Sequence, residues 1–79
     1  MVTAKTEREW QERARAFIKQ RLKEADVTYV ELAQRLKKHG FKETEASITN
    51  KLKRGTFAAT WLLAALAALE LEGIRLEDI

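Results

Sequence analysis

An all-α fold, a compact bundle of four helices closed by a short C-terminal turn or strand, is what this chain predicts. Three observations carry the prediction. No proline interrupts the sequence, apolar residues recur at helical spacing, and the three glycines, at positions 40, 55 and 73, fall where that periodicity breaks off, as helix C-terminal punctuation does. A chain of 79 residues allows one domain, 1–79, because a domain of this size buries only about 60% of the surface its unfolded form exposes and has no material for a second core. With 46% apolar and 34% charged residues, the balance is that of a globular chain and not of a disordered one.

The first helix is expected over residues 6–25. Thr6 followed by Glu9 fits the capping box, in which hydroxyl and carboxylate reciprocally satisfy backbone N–H groups at a helix start. Trp10, Ala14, Phe17, Ile18, Leu22 and Ala25 share one face, and Arg8, Arg15, Lys19 and Lys23 gather opposite. That outer face reads either as solvated surface, with Glu9 and Arg13 as a supporting i,i+4 pair, or as a phosphate-facing stripe in which Glu12 is out of place.

The second helix, 29–39, repeats the capping pattern with Thr28 and Glu31. Leu32, Ala33, Leu36 and Tyr29 turn inward, Glu31, Gln34, Arg35 and Lys38 face solvent, and His39 lies at the C-terminal end, where the helix dipole favours a cation. The third, 44–54, is capped by Thr44 and has one narrow apolar seam, Ile48 and Leu52, so most of its surface is free. The fourth, 57–71, with Thr56 as its N-cap candidate, is apolar nearly all round and must be surrounded. Either it organises the core alone, or part of it also meets a second copy of the chain. Its apolar run, 57–69, is well short of the roughly 20 residues that span a bilayer, so no membrane association is expected. The tail I-R-L-E-D-I fits a helical turn or an edge strand.

Composition removes several function classes. Without cysteine and with a single histidine there is no disulfide, no thiolate nucleophile and no multi-histidine metal site. Carboxylates have basic neighbours on helix surfaces and the glycines are too dispersed to cradle a phosphate. The expectation is a protein that is not an enzyme, with no cofactor and no metal. The N-terminal M-V-T-A-K-T-E-R-E-W lacks the apolar core of a secretory signal, which points to the cytoplasm. Charge is polarised: residues 1–54 carry 14 basic against 8 acidic side chains, whereas residues 55–79 set Arg75 against four acids. Such asymmetry suits a polyanionic partner, and equally keeps a small domain soluble.

The third helix concentrates the functional residue types. With Ile48 and Leu52 inward, a turn of about 100° per residue places Ala46, Asn50, Lys53 and Arg54 opposite, with Ser47 and Thr49 flanking. Asparagine can bond adenine and arginine guanine in bidentate fashion, and serine or threonine can bond phosphate or base edges. Lys37, Lys38, Lys42, Lys51 and Lys53 are the nearby cations available for phosphate. A plain solvated polar helix has the same composition.

V-T-Y-V-E-L-A-Q-R-L, then S-I-T-N-K-L-K-R-G, then an apolar helix ending A-A-L together resemble the lambda-repressor-like helix-turn-helix domain of the Xre regulator family over residues 27–76. Leu32 and Ala33 match that family's Leu-Ala pair, Ile48 and Thr49 its Ile-Ser, and Arg54 and Gly55 its Arg-Gly. The chain also resembles a small uncharacterised bacterial family sharing R-G-T-F before an apolar helix. The resemblance implies a small transcriptional regulator binding double-stranded DNA, with the third helix in the major groove. Ser47, Thr49 and Asn50 would lie nearest the bases, Lys51, Lys53 and Arg54 on phosphates, and a homodimer would form through the fourth helix or the C-terminal segment. Family base contacts cluster at the start of the recognition helix, which here offers Thr44, Glu45 and Ser47 beside Glu43. The link between the two helices is longer than the compact family pattern, through K-K-H and K-E-T-E-A-S. The rival reading is a protein-interaction module, antitoxin-like or an adaptor, that docks an acidic protein on the same polar helix.

Overall fold

The computed structural model describes residues 3–79, so of the expected domain only positions 1 and 2 lie outside the described residues. It is an all-α bundle of four helices, α1 (Glu7–Ala25), α2 (Tyr29–Lys37), α3 (Glu45–Arg54) and α4 (Ala59–Ala68), followed by one 3-10 turn, Leu76–Asp78. That turn decides the tail in favour of the helical alternative.

Three of the four starts follow from threonines in the extended conformation. The hydroxyls of Thr6, Thr28 and Thr44 each accept the N–H three residues on, at 3.1 Å. The reciprocal half of the cap is not where the sequence suggests it. The Glu9 carboxylate accepts from the Lys5 N–H and Glu31 reaches Arg35, while the full capping box forms at Thr44, whose N–H donates to Ser47 Oγ at 2.8 Å. Thr56 caps nothing. The chain stays extended through Ala58, the residue before α4, and this lets Phe57 lay its ring on Trp61 with centroids 5.0 Å apart.

Three helices stop by one device. A residue in the left-handed region follows the helix, and the N–H of the next, apolar residue reaches back to an apolar residue of the last turn: Val27 to Leu22 O, Phe41 to Leu36 O and Leu71 to Leu66 O, at 3.0–3.1 Å. The left-handed positions are Asp26, Gly40 and Glu70. Gly73 therefore does not end α4; Glu70 does, three residues earlier than the glycine predicts, and the helix is shorter than 57–71 at both ends. Each stop tucks an apolar side chain, Val27, Phe41 or Leu71, against the core.

That core is one cluster in which Ile18, Leu32, Leu36, Ile48, Leu52, Trp61 and Ala65 are almost wholly buried. Burying each of the larger aliphatic side chains contributes about 1.5–3 kcal/mol. α2 packs on both α3 and α4, and α1 packs on α3. Two residues expected on the buried face of α1 are exposed instead: Ala25 at its last position, and Trp10, 39% exposed, near its start where it borders an open hollow with Phe57, Leu76 and Ile79.

Two arginines expected in solvent tie helices together. Arg15 Nε donates to Leu52 O at 2.8 Å and Arg35 donates to Ala68 O at 3.0 Å, each supplying a partner to a last-turn carbonyl of another helix. Arg15 lies seven positions before Leu22, about 20° round the helix from it, so it borders the buried face and does not oppose it. On the solvent side of α1, the Gln20 amide and then Arg21 hold the Glu24 carboxyl below its ordinary pKa.

Gly55, at φ 70, closes α3 with its N–H on Lys51 O and Leu52 O and lies against α1, where a Cβ would meet Gln11 O at 2.7 Å and Gln11 Cβ at 2.8 Å. Gly40 shares the positive φ but has open space around it. Gly55→Ala is therefore expected to cost about 2–5 kcal/mol, from the left-handed conformation plus overpacking against backbone, and Gly40→Ala only about 1–2 kcal/mol. Urea unfolding of the two variants checks this; equal losses would remove the α1 contact as the reason for Gly55.

Candidate nucleic-acid interface

Because Ile48 and Leu52 are buried, the roll of α3 about its axis is set, and its two flanks meet different surroundings. One flank, Ser47 and Lys51, turns to Glu43, whose side chain is only 7% exposed. Lys51 Nζ donates to both Glu43 carboxylate oxygens, at 3.0 and 3.1 Å, and Ser47 Oγ donates to Glu43 at 2.6 Å while accepting from the Thr44 N–H. The Lys51 ammonium also lies 6.0 Å from the centroid of the buried Trp61 ring. Ser47 and Lys51 are thus engaged inside the protein. Glu43 is neutralised there, which removes one of the two carboxylates that crowd the start of this helix in the sequence.

The other flank is open. Thr49 and Lys53 are exposed there, Ala46, Asn50 and Arg54 are exposed on the outward side of the helix, and no ion pair among the described residues involves Lys53 or Arg54. Thr49 Oγ1 donates to Glu45 O at 2.9 Å, so its proton is spent inside the helix and its methyl and lone pairs remain outward. Thr44, Glu45, Ala46, Thr49 and Asn50 line a shallow hollow along this face. Glu45 is exposed within it and keeps one negative charge at the helix start.

The remaining lysines divide. Lys42 is exposed just ahead of α3. Lys37 is exposed on the flank of α2 away from Arg35, which reaches across to α4. Lys38 lines a hollow with Arg35, His39, Ala67, Ala68 and Glu70, on the α4 side, and so stands apart from α3. Of the ten residues that the sequence nominates, the structure brings Thr44, Thr49, Asn50 and Lys53 onto one exposed surface, while Arg54, exposed at the end of α3, lies seven positions after Ser47 and so toward that side of the helix. Three residues outside those ten border the same flank of α3: Arg15, Lys19 and Tyr29. Lys19 was visible in the basic stripe of the first helix, whereas nothing in the sequence connects that stripe to Thr49 and Lys53.

The sequence profile of a family described as a domain of unknown function (DUF6471) matches residues 10–74. The chain belongs to that family. The match takes in nearly all of α1, the whole of α2, α3 and α4, and the three segments that link them, so the open flank of α3 and the Glu43 network lie within the DUF6471 domain. No curated protein and no solved structure matches the chain. Among the described residues no cluster of acidic or histidine side chains could hold a metal ion, and no helix is long and apolar enough to cross a membrane.

Lys51→Ala, which leaves Glu43 buried without its cation, is expected to lower stability by about 1–3 kcal/mol, equivalent to roughly 4–8 °C in melting temperature per kcal/mol for a domain this small. Lys53→Ala should leave the melting temperature within a degree or two, as exposed surface changes do. Thermal melts of the two variants side by side test the assignment, and an unshifted Lys51→Ala melt would return Lys51 to the exposed set.

Proposed function

We propose that this chain binds double-stranded DNA through the exposed face of α3 laid in the major groove, and that it acts as a small transcriptional regulator. The observation that carries this reading is the segregation on α3: cation and amide side chains, Lys53, Arg54 and Asn50, stand free on one face, while the lysine nearest an acid, Lys51, is held by it. A helix about 10–12 Å across fits a groove about 12 Å wide, and ten residues of helix run about 15 Å along it. Asn50 is the residue best suited to a base edge, since its amide can pair both ways with adenine. Lys53, Arg54 and Lys42 serve the phosphates, which set affinity and its salt dependence. Thr44 and Thr49 contact base edges or sugar beside Asn50, and the lambda-repressor-like resemblance supports the same helix as the reader.

One domain of this size makes few contacts, so a second copy reading a second half-site belongs to the proposal. It would join through the exposed part of α4 around Leu63, 65% exposed, or through the C-terminal end at Leu76, 58% exposed. The hollow lined by Trp10, Phe57, Leu76 and Ile79 is also the feature that favours the other reading, a protein-interaction module, because an apolar hollow suits a protein partner better than DNA.

Fluorescence anisotropy on a random-sequence duplex at two salt concentrations separates the two. DNA binding predicts affinity that falls steeply with salt, and an absence of binding even at low salt would leave the protein-interaction reading. Lys53→Ala with Arg54→Ala should weaken binding to every sequence and reduce the salt slope by about two, while Asn50→Ala should act mainly on preferred sites. Unchanged affinity in the folded double variant would remove α3 from the interface. Sedimentation velocity across concentration tests the second copy, with Leu63→Ser and Leu76→Ser telling the two surfaces apart.

A further inference from the structure

Beside the open flank of α3 lies a notch of about 250 Å³ whose walls come from three helices: Arg15 and Lys19 of α1, Tyr29 of α2, and Thr49, Leu52 and Lys53 of α3. Three cations converge there and no carboxylate lines it. Neither Lys19 nor Lys53 takes part in an ion pair among the described residues. Arg15 is fixed by its Nε bond to Leu52 O at 2.8 Å, which leaves its two terminal amino groups for the notch. A guanidinium held by its third nitrogen loses little freedom on accepting an oxyanion, and its planar fork matches two oxygens at once. Thr49, whose proton is given to Glu45 O, is a wall and not a donor.

We infer that this notch is a seat for one phosphate group, held by Arg15, Lys19 and Lys53 with the Tyr29 hydroxyl as the neutral donor. Like charges brought together without a counter-charge repel one another, and a bound oxyanion relieves that repulsion. The inference rests on the DNA reading for the source of the phosphate, a backbone phosphate flanking the groove that α3 enters. Seated there, the phosphate sets how far α3 slides along the groove, because contacts to the backbone fix register while contacts to bases specify sequence. The seat itself stands on the chemistry of the notch and would take a free phosphate if the duplex were not its partner.

Two variants that leave the core untouched test it, with melting curves to confirm folding: Lys19→Gln removes a charge, and Tyr29→Phe removes a donor while keeping the ring. In the first arm, duplex binding is measured at several salt concentrations. Lys19→Gln is expected to weaken binding about five- to tenfold at low salt and to lower the salt slope by about one, and Tyr29→Phe to weaken it about three- to tenfold with the slope unchanged. In the second arm, inorganic phosphate is titrated while the amide resonances of Thr49 and Lys53 are followed, in the parent chain and in Lys19→Gln. The expected losses in the first arm establish a backbone phosphate as the occupant. Saturable shifts in the second arm that vanish in Lys19→Gln, from a chain that binds no duplex, would keep the seat and discard the DNA reading. Duplex binding with the parent affinity and slope in both variants, together with no phosphate shift, would overturn the seat and leave the DNA reading standing. A chain that binds neither duplex nor phosphate would overturn both.

Discussion

The close approach of the end of α3 to the middle of α1 is the contact on which the rest of the structure depends. Gly55 has no room for a Cβ above Gln11, and one turn further along α1 the Arg15 side chain holds Leu52 O. A glycine at this position serves two needs together, a left-handed end for α3 and backbone-to-helix proximity. Without either, α3 would be free to lift at its basic end. With both, Ile48 and Leu52 are pressed into the cluster formed by Ile18, Leu32 and Leu36, and the helix has a single roll.

That roll sorts chemically similar residues into different roles. Ser47 and Lys51 fall on the flank that meets Glu43 and Trp61, and they become part of the fabric. Thr49 and Lys53, two residues on in each case, fall on the flank that meets Lys19 and Tyr29 and stay available. The basic end of the chain is thereby reduced in number but concentrated in place. The acid nearest it, Glu43, is neutralised internally, so the open flank keeps a positive field with Glu45 as its one opposing charge along α3.

Much of this fold could be read from the sequence because helix signals are local. Thr6, Thr28 and Thr44 cap where hydroxyls before helical periodicity should cap, and the apolar faces of the second and third helices are the buried ones. The stops were harder to read. Asp26 and Glu70 take the left-handed positions that the glycine rule reserves for Gly40 and Gly55, and what holds them there is the apolar residue after each, Val27 and Leu71, drawn into the core. The site was legible as a set of residue types and not as an arrangement. Arg15, Arg35 and Lys51 look like surface cations until the partner is known, and those partners, Leu52 O, Ala68 O and the Glu43 carboxylate, lie 37, 33 and 8 residues away. Periodicity on one helix says nothing of the neighbour that a boundary residue will meet.

A backbone amide shift map of the labelled chain on addition of a short duplex tests most directly the claim that α3 meets its partner by the Thr49 and Lys53 flank. The largest changes are expected at Ala46, Thr49, Asn50 and Lys53, continuing across the notch to Lys19 and Tyr29, with Glu43 and Lys51 little moved. Changes centred on Leu63, Ala67 and Glu70, with α3 silent, would contradict it.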